Sequence, residues 1–163
     1  MTRQDGLSKT DLRIVDILQR DGRASYADIG AAVGMSAPSA HERVKKLETR
    51  GVILGYAARV DARAVGRGIL AFSWIRQSPG PPTGDLTDAF RELPEVEECH
   101  HIAGEADYLL KVRAADTLDL ERVMKQIQAL PFVYTTETDV VYSSAFEQRP
   151  LAMPGETDTG SEA

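Results

Sequence analysis

Three times in the first fifty positions, apolar residues recur at the spacing of a helix face, and each time residues that start or stop a helix bracket them. Leu12, Ile14, Val15, Ile17 and Leu18 make the first apolar flank. Ser8 and Asp11 precede it as a capping box, and Gly22 stands where a left-handed C-terminal cap is expected. Ser25 and Asp28 repeat the box ahead of Ile29, Ala32 and Val33, which share one face, and Gly34 ends that second helix. Ser36 caps a third. Pro38 is tolerated in its first turn, where no backbone N–H is needed, and Ala40, Val44 and Leu47 recur as a buried stripe until Gly51. At about 100° per residue, the stripe turns Pro38, Ser39, Glu42, Lys45, Lys46 and Thr49 to the opposite face, with His41 and Arg43 on the flanks. Two short amphipathic helices joined by a tight glycine turn are the pattern of a helix-turn-helix. The first helix closes a three-helix core behind them.

After Gly51 the period changes. Val52 to Val60 is β-branched and aromatic with Gly55 inside it, and reads as a strand leaving the third helix, either a wing or a linker strand. Residues 61–68, DARAVGRG, have the Gly and polar content of a domain boundary. Ile69 to Gln77 follows as a buried strand and residues 78–84 as a turn. Leu86, Phe90 and Leu93 mark a helix stopped by Pro94. Val96 to Ala103 and Asp107 to Arg113 read as a hairpin turned at residues 104–106. Asp116 or Thr117 caps a helix carrying Leu120, Val123, Met124, Ile127 and Leu130, and Phe132 to Tyr142 is the last strand. The order strand, helix, strand, strand, helix, strand is the split βαβ of a ferredoxin-like sheet with both helices on one face. Its bare face calls for a cover, and a second copy of the same sheet supplies one, so a homodimer is expected. The fold class is therefore α+β. A winged helix-turn-helix domain with its linker strand occupies residues 1–60, a linker 61–68, and a ferredoxin-like βαββαβ domain 69–146. The tail, 147–163, rich in Pro, Gly, Thr and acid, is expected to be disordered.

With 163 residues, 42% of them hydrophobic and 27% charged, the chain suits one ordinary soluble domain or two small ones. No stretch reaches the roughly 18 apolar residues of a membrane span, and MTRQDGLSKTDL lacks the apolar core of a signal peptide. The expected location is cytoplasmic and nucleoid-associated, with no membrane partner. A single cysteine, Cys99, excludes an internal disulfide framework. The net charge of -6 conflicts with nucleic-acid binding until it is divided along the chain. Residues 1–64 hold 11 Lys+Arg against 8 Asp+Glu, or +3, and the remainder holds 8 against 17, or -9. Phosphate contact needs local positive charge, and DNA repels the acidic remainder, which points to a reader joined to a domain with another job.

These stretches, in order and spacing, resemble the Lrp/AsnC family of transcription regulators, also called feast/famine regulatory proteins. The resemblance runs over nearly the whole chain. It is carried by LSKTDLRIVDILQRDGRAS, by IGAAVGMS and HERVKKLETRGVI, by GYAARVD, and then by LPEVEECHHIAGEADYLLKV and TETDVV. It implies a dimer that assembles further into rings of dimers, binds double-stranded DNA through paired helix-turn-helix units, and changes activity or assembly on binding a small amino acid. It also implies an effector site in the second, RAM domain where dimers meet, beside the loop Gly104, Glu105, Ala106, Asp107, Tyr108. The residue before that glycine, often polar in relatives, is Ala103 here.

On the third helix, Ser36 and Ser39 offer donors to phosphate, Glu42 can accept from cytosine N4, and Lys45 or Lys46 can reach phosphate or guanine. Pro38 and His41 complete the candidate DNA-binding set. Arg43 suits either a phosphate contact or an ion pair to the first helix, with Asp11 or Asp16. An amino acid needs a carboxylate or carbonyls for its ammonium and free N–H groups for its carboxylate. The Gly104 loop beside Asp107 offers both, and it also suits a plain hairpin turn. Thr136 and Thr138 add hydroxyls on one side of the last strand, and His101, Ala103 and Tyr108 border the loop, which completes the effector candidates. Glu97, Glu98, Cys99, His100 and His101 carry metal-ligand chemistry, but alternation sends Cys99 and His101 one way and Glu98 and His100 the other. Two ligands per face do not close a site, so no metal or other cofactor is expected. Two other readings compete. One is a ligand-independent architectural DNA binder whose second half only oligomerises. The other is an enzyme like the tetrapyrrole decarboxylases that share this architecture, for which no nucleophile, base and orienting residue recur at a recognisable spacing.

Overall fold

Ser8 opens α1 (Lys9–Arg20) with a reciprocal box: its hydroxyl accepts from the Asp11 N–H at 3.1 Å, and the Asp11 carboxylate accepts from the Ser8 N–H at 2.8 Å. Ser25 opens α2 (Tyr26–Val33) by accepting from the Asp28 N–H, while its hydroxyl donates to the Asp28 carboxylate. Gly34 closes that helix in the left-handed region at φ 73°. Ser36 caps α3 (Ala37–Thr49), and Pro38 sits in its first turn. At its far end the Val52 N–H reaches the Leu47 carbonyl and the Gly51 N–H the Glu48 carbonyl, both at 2.9 Å, with Gly51 at φ 67°, which is a Schellman closure. The core of this unit is Ile14, Ile29, Ala40, Val44 and Leu47, so the predicted stripe on α3 is the buried one.

The computed structural model describes residues 6–78 and 86–154, and its contacts divide the chain into two units, 1–58 with 146–163, and 59–145. Several local expectations in the first unit are corrected. Ala32 is exposed and Gly30 is buried in its place, because the turn into α3 crosses α2 there. A Cβ on Gly30 would lie 2.6 Å from the Met35 carbonyl oxygen. Gly22 is not a left-handed cap: extended Asp21, at φ -138°, closes α1 with its N–H on the Ile17 carbonyl. Val52 to Val60 forms no strand, since a ladder needs a partner and the described residues supply none; Leu54, Tyr56 and Val60 are exposed. Tyr56 is fixed instead by its hydroxyl, which donates to Glu48 at 2.9 Å. The tail is partly tied down. It has no helix or strand through Pro154, yet Leu151 exchanges two hydrogen bonds with the side chain of Gln19 on α1. Residues 155–163 lie outside the described residues.

The second unit is a four-stranded antiparallel sheet with the order β2-β3-β1-β4, the ferredoxin-like arrangement. Its elements are β1 (Ile69–Gln77), α4 (Leu86–Arg91), β2 (Val96–His101), β3 (Tyr108–Ala114), α5 (Thr117–Gln128) and β4 (Val133–Val140). From residue 79 on, the turn expected between β1 and α4 falls outside the described residues. Ala71, Ile75, Leu110 and Val112 face the helices and pack with Phe90, Leu120, Val123 and Ile127. Pairing puts Phe72, Trp74 and Arg76 on the other face, beside Leu109, Lys111, Asp139, Glu137 and Thr135. β4 begins one residue later than expected because Phe132, at φ 74°, is left-handed, and its carbonyl accepts from the Ser78 N–H. Among the described residues no helix is long and apolar enough to cross a membrane.

Candidate functional site

Burial of the Ala40, Val44 and Leu47 stripe leaves Pro38, Ser39, His41, Glu42, Lys45 and Lys46 exposed on the outer side of α3. The ammonium groups of Lys45 and Lys46 have no ion-pair partner among the described residues, so both are free for phosphate. The Ser36 hydroxyl is spent on the helix cap and lies 2.9 Å from the Ser39 hydroxyl. The His41 ring stands 4.7 Å from that of Tyr26 on α2, which braces it at the start of the exposed face. Charge removal at the two lysines (Lys45→Gln with Lys46→Gln) is expected to lower the slope of log K against log salt by about 0.9 per contact. At ~0.15 M salt the pair is then worth about thirtyfold in affinity. An unchanged slope would place both outside the interface.

Arg43 takes the ion-pair option. Its Nε donates to Asp11 at 2.7 Å and a terminal nitrogen to the Ser8 hydroxyl at 2.9 Å, which ties α3 to the capping box of α1. Asp16 is engaged by Arg13 and Arg20 instead. Burial alone would push the Asp11 carboxyl up, but the Arg43 bond and those from the Ser8 backbone and hydroxyl outweigh it and hold the pKa at about 2. The folded value lies below the unfolded one. The stabilisation is therefore present above about pH 4 and is lost as pH falls toward 2, with a size of about 2 kcal/mol. Asp11→Asn should cost about that much at neutral pH and flatten the acid limb, read by amide exchange of α1 and α3. An unchanged acid limb would mean that the tie contributes nothing.

In the second unit the predicted effector residues separate. Asp107 fastens the sheet: its Oδ2 accepts from the Gln77 N–H at 2.7 Å, where a register shift between Arg76 and Gln77 interrupts the ladder. Its backbone also bonds to Ile75 and Ile102. His101 and Tyr108 face the helices, stacked at 5.0 Å, and Tyr108 is buried with its ring edge-on to Phe90. Thr138 is likewise turned toward α5, bonded to Ser73 and Met124, and the Thr136 hydroxyl accepts from Gln128. Gly104 and Thr136, the latter only through its backbone because its hydroxyl is turned to α5, both border a cavity of about 580 Å³ on the opposite face, with Ala103 in the loop beside it. There β1 supplies Trp74 and Arg76, β4 also Thr135, Glu137 and Asp139, and the loop Ile102 and Gly104 to Ala106. The N–H groups of Gly104, Glu105 and Ala106 find no acceptor among the described residues. Alternation groups Trp74 with Arg76 and Glu137 with Asp139, but only the register shows that the two pairs share a face.

The acidic cluster of β2 splits as alternation predicts for Cys99, His101, Glu98 and His100, with one correction. A register shift between Val96 and Glu98 brings Glu97 to the side of Glu98. Lys111 bonds to Glu98 at 3.0 Å and Glu97 at 3.2 Å, and Arg113 to Glu97 at 3.1 Å. The Lys111 bond holds the Glu98 carboxyl below its ordinary range. These carboxylates are engaged by cations of the sheet.

A three-helix reader with a free cationic face, joined to a ferredoxin-like unit that holds a polar cavity, defines a helix-turn-helix transcription regulator with a sensor domain. Residues 7–48 match the AsnC-type helix-turn-helix domain, and residues 70–151 the Lrp/AsnC ligand binding domain. The proline dehydrogenase transcriptional activator of Rhizobium radiobacter is 38% identical over 146 residues, 88% of this chain and 94% of the relative. The leucine-responsive regulatory protein of Escherichia coli (strain K12) is 33% identical over 150 residues, 90% of this chain and 92% of the relative. Among solved structures, the feast or famine regulatory protein from M. tuberculosis complexed with L-methionine superposes with a TM-score of 0.84. It is 34% identical and matches 91% of this chain and 100% of its own. The chain belongs to the Lrp/AsnC family of transcription regulators.

Proposed function

We propose that this regulator reads double-stranded DNA as a homodimer and that an amino acid, held in the cavity beside the Gly104 loop, alters its activity or assembly. The observation that carries the reading is the cavity itself: it is lined by a loop whose Gly104, Glu105 and Ala106 N–H groups find no acceptor among the described residues and can meet an amino acid's carboxylate, and by carboxylates of β4 that can meet its ammonium. The L-methionine held by the M. tuberculosis relative supports an effector of this class.

The homodimer is supported by the face opposite the helices, which leaves Phe72, Trp74 and Leu109 without a covering layer among the described residues, and by exposed Leu54 and Val60 on the segment leading to it. A two-fold dimer sets two copies of α3 on half-sites about one helical turn, ~34 Å, apart. Further assembly of dimers brings the loop ends of the sheets near one another, where an effector would act on association. A DNA reader of this kind works in the cytoplasm, associated with the nucleoid.

The test is a thermal-shift screen of the common amino acids on the full chain. A ligand specific to the native state stabilises by about 2.7 kcal/mol at a hundred times its Kd. Should none of them raise the Tm, the effector half of the proposal falls and a ligand-independent DNA binder remains.

A further inference from the structure

We infer that Arg67 is a positioning residue for DNA reading: its guanidinium clamps the segment that leads to the reader against the sensor unit, and so sets which half-site spacing the paired readers accept. This rests on the homodimeric reading above and adds to it a residue that fixes its geometry. Residues 61–68 have the composition of a domain boundary, yet the contacts of the chain place 59–68 with the sheet. They close on themselves. The Asp61 carboxylate accepts from the Arg63 N–H at 2.9 Å, the Asp61 carbonyl from the Val65 N–H at 3.3 Å, and the Ala62 carbonyl from the Arg67 N–H at 2.7 Å, with Gly66 left-handed at φ 74°. Since β1 begins at Ile69, this closed turn can swing on the sheet at Gly68 unless something outside it holds it.

Arg67 supplies that hold. Its Nη1 donates to Asp119 on α5 at 3.0 Å and lies 3.8 Å from Glu95, just ahead of β2. Both carboxylates are largely withdrawn from water, with side-chain exposures of 18% and 6%, so solvent screens their pull on the half-exposed guanidinium less than at an open surface. Arg122 reaches the same two acids at 2.6 Å each. They therefore keep a partner without Arg67, whose bonds matter less to the sheet than to the turn. All these contacts lie within one chain and against α5, on the helix side of the sheet, so a second copy laid on the opposite face leaves them in place. The chain's other crossing, at residues 145 and 146, is fastened to α1 through Leu151 and Gln19, and so follows the reader. Two readers carried on clamped turns favour one spacing, whereas readers on swinging turns lose effective concentration at that spacing and tolerate others.

The experiment is fluorescence anisotropy of the full chain with duplexes selected from random DNA and resynthesised in three forms: with one half-site, with both, and with both moved apart by about half a helical turn. The parent is expected to bind the original two-site duplex at least about tenfold more tightly than the shifted one. In Arg67→Gln that penalty should fall below about threefold, through weaker binding of the original duplex, while affinity for the single half-site stays at the parent's value. Arg122→Gln takes a cation from the same two acids without touching the turn, and should keep the parent's penalty. An Arg67→Gln chain that keeps the full penalty overturns the inference. An equal loss of the penalty in Arg122→Gln also overturns it, because the cause would then be the stability of the α5 end and not the hold on the turn. If the parent gains nothing from a second half-site, the homodimeric reading falls and this inference falls with it.

Discussion

Replacing Gly30 with valine will abolish DNA binding while the sensor sheet stays folded. Gly30 is buried in α2, and the turn into α3 runs directly over it. A β-carbon there would meet the Met35 carbonyl oxygen at 2.6 Å and the Ser36 carbonyl group at 3.3 Å. These are backbone atoms and cannot swing aside as a side-chain tip can. The Met35 N–H is moreover bonded to the Gly30 carbonyl at 2.8 Å, so the turn is fastened to the residue that would push it away. Valine adds two further carbons and the helix penalty of a branched β-carbon, for a cost of about 3 kcal/mol or more. A unit of this size has only a few kcal/mol to lose. The expected result is a more than hundredfold loss of affinity for DNA, with near-parental amide protection in β1 and β3. Parental DNA binding by Gly30→Val would show that the turn does not pack as described.

The counterpart in the other unit is Phe90→Ala. Phe90 is completely buried on the short helix α4, and its ring meets Tyr108 edge-on at 5.5 Å, the residue at which β3 leaves the Gly104 loop. Truncation removes an aromatic from a closed core and should cost about 3–5 kcal/mol. Tyr108 loses its packing partner, and with it the loop end of the sheet loses its anchor. We expect amino-acid binding to disappear and the denaturation midpoint of the sheet to fall, while the amide protection of α1 and α3 holds. A loss of stability under about 1 kcal/mol would mean that the ring is not packed in the core.

Local rules account for much of this molecule. Capping bonds span three residues, so Ser8 and Ser36 announce their helices, and the Ala40, Val44, Leu47 stripe shows which side of α3 is free. The ferredoxin-like order is likewise legible because each strand and helix carries its own period. What is not legible depends on partners far along the chain. The carboxylate of Asp107 is claimed by the backbone of Gln77, thirty residues earlier, at a bulge no pattern marks. Arg43 has two equally good uses until α1 is placed beside it, and Val52 to Val60 has strand composition without a neighbouring strand. Gly30 looks like an unremarkable helix residue because the chain that crosses it belongs to the next turn. The cavity residues Trp74, Arg76, Glu137 and Asp139 are brought together only by the β1–β4 register.

Selection of bound duplexes from random DNA by the full chain, with and without the amino acid that raises its Tm, tests most directly that one protein both reads sequence and answers to a small molecule. The expected result is a two-fold symmetric motif, with half-sites about one helical turn or a multiple of it apart, whose affinity changes when the amino acid is added. Recovery of no common motif, or of the same motif with the same affinity whether or not the amino acid is bound, would contradict it.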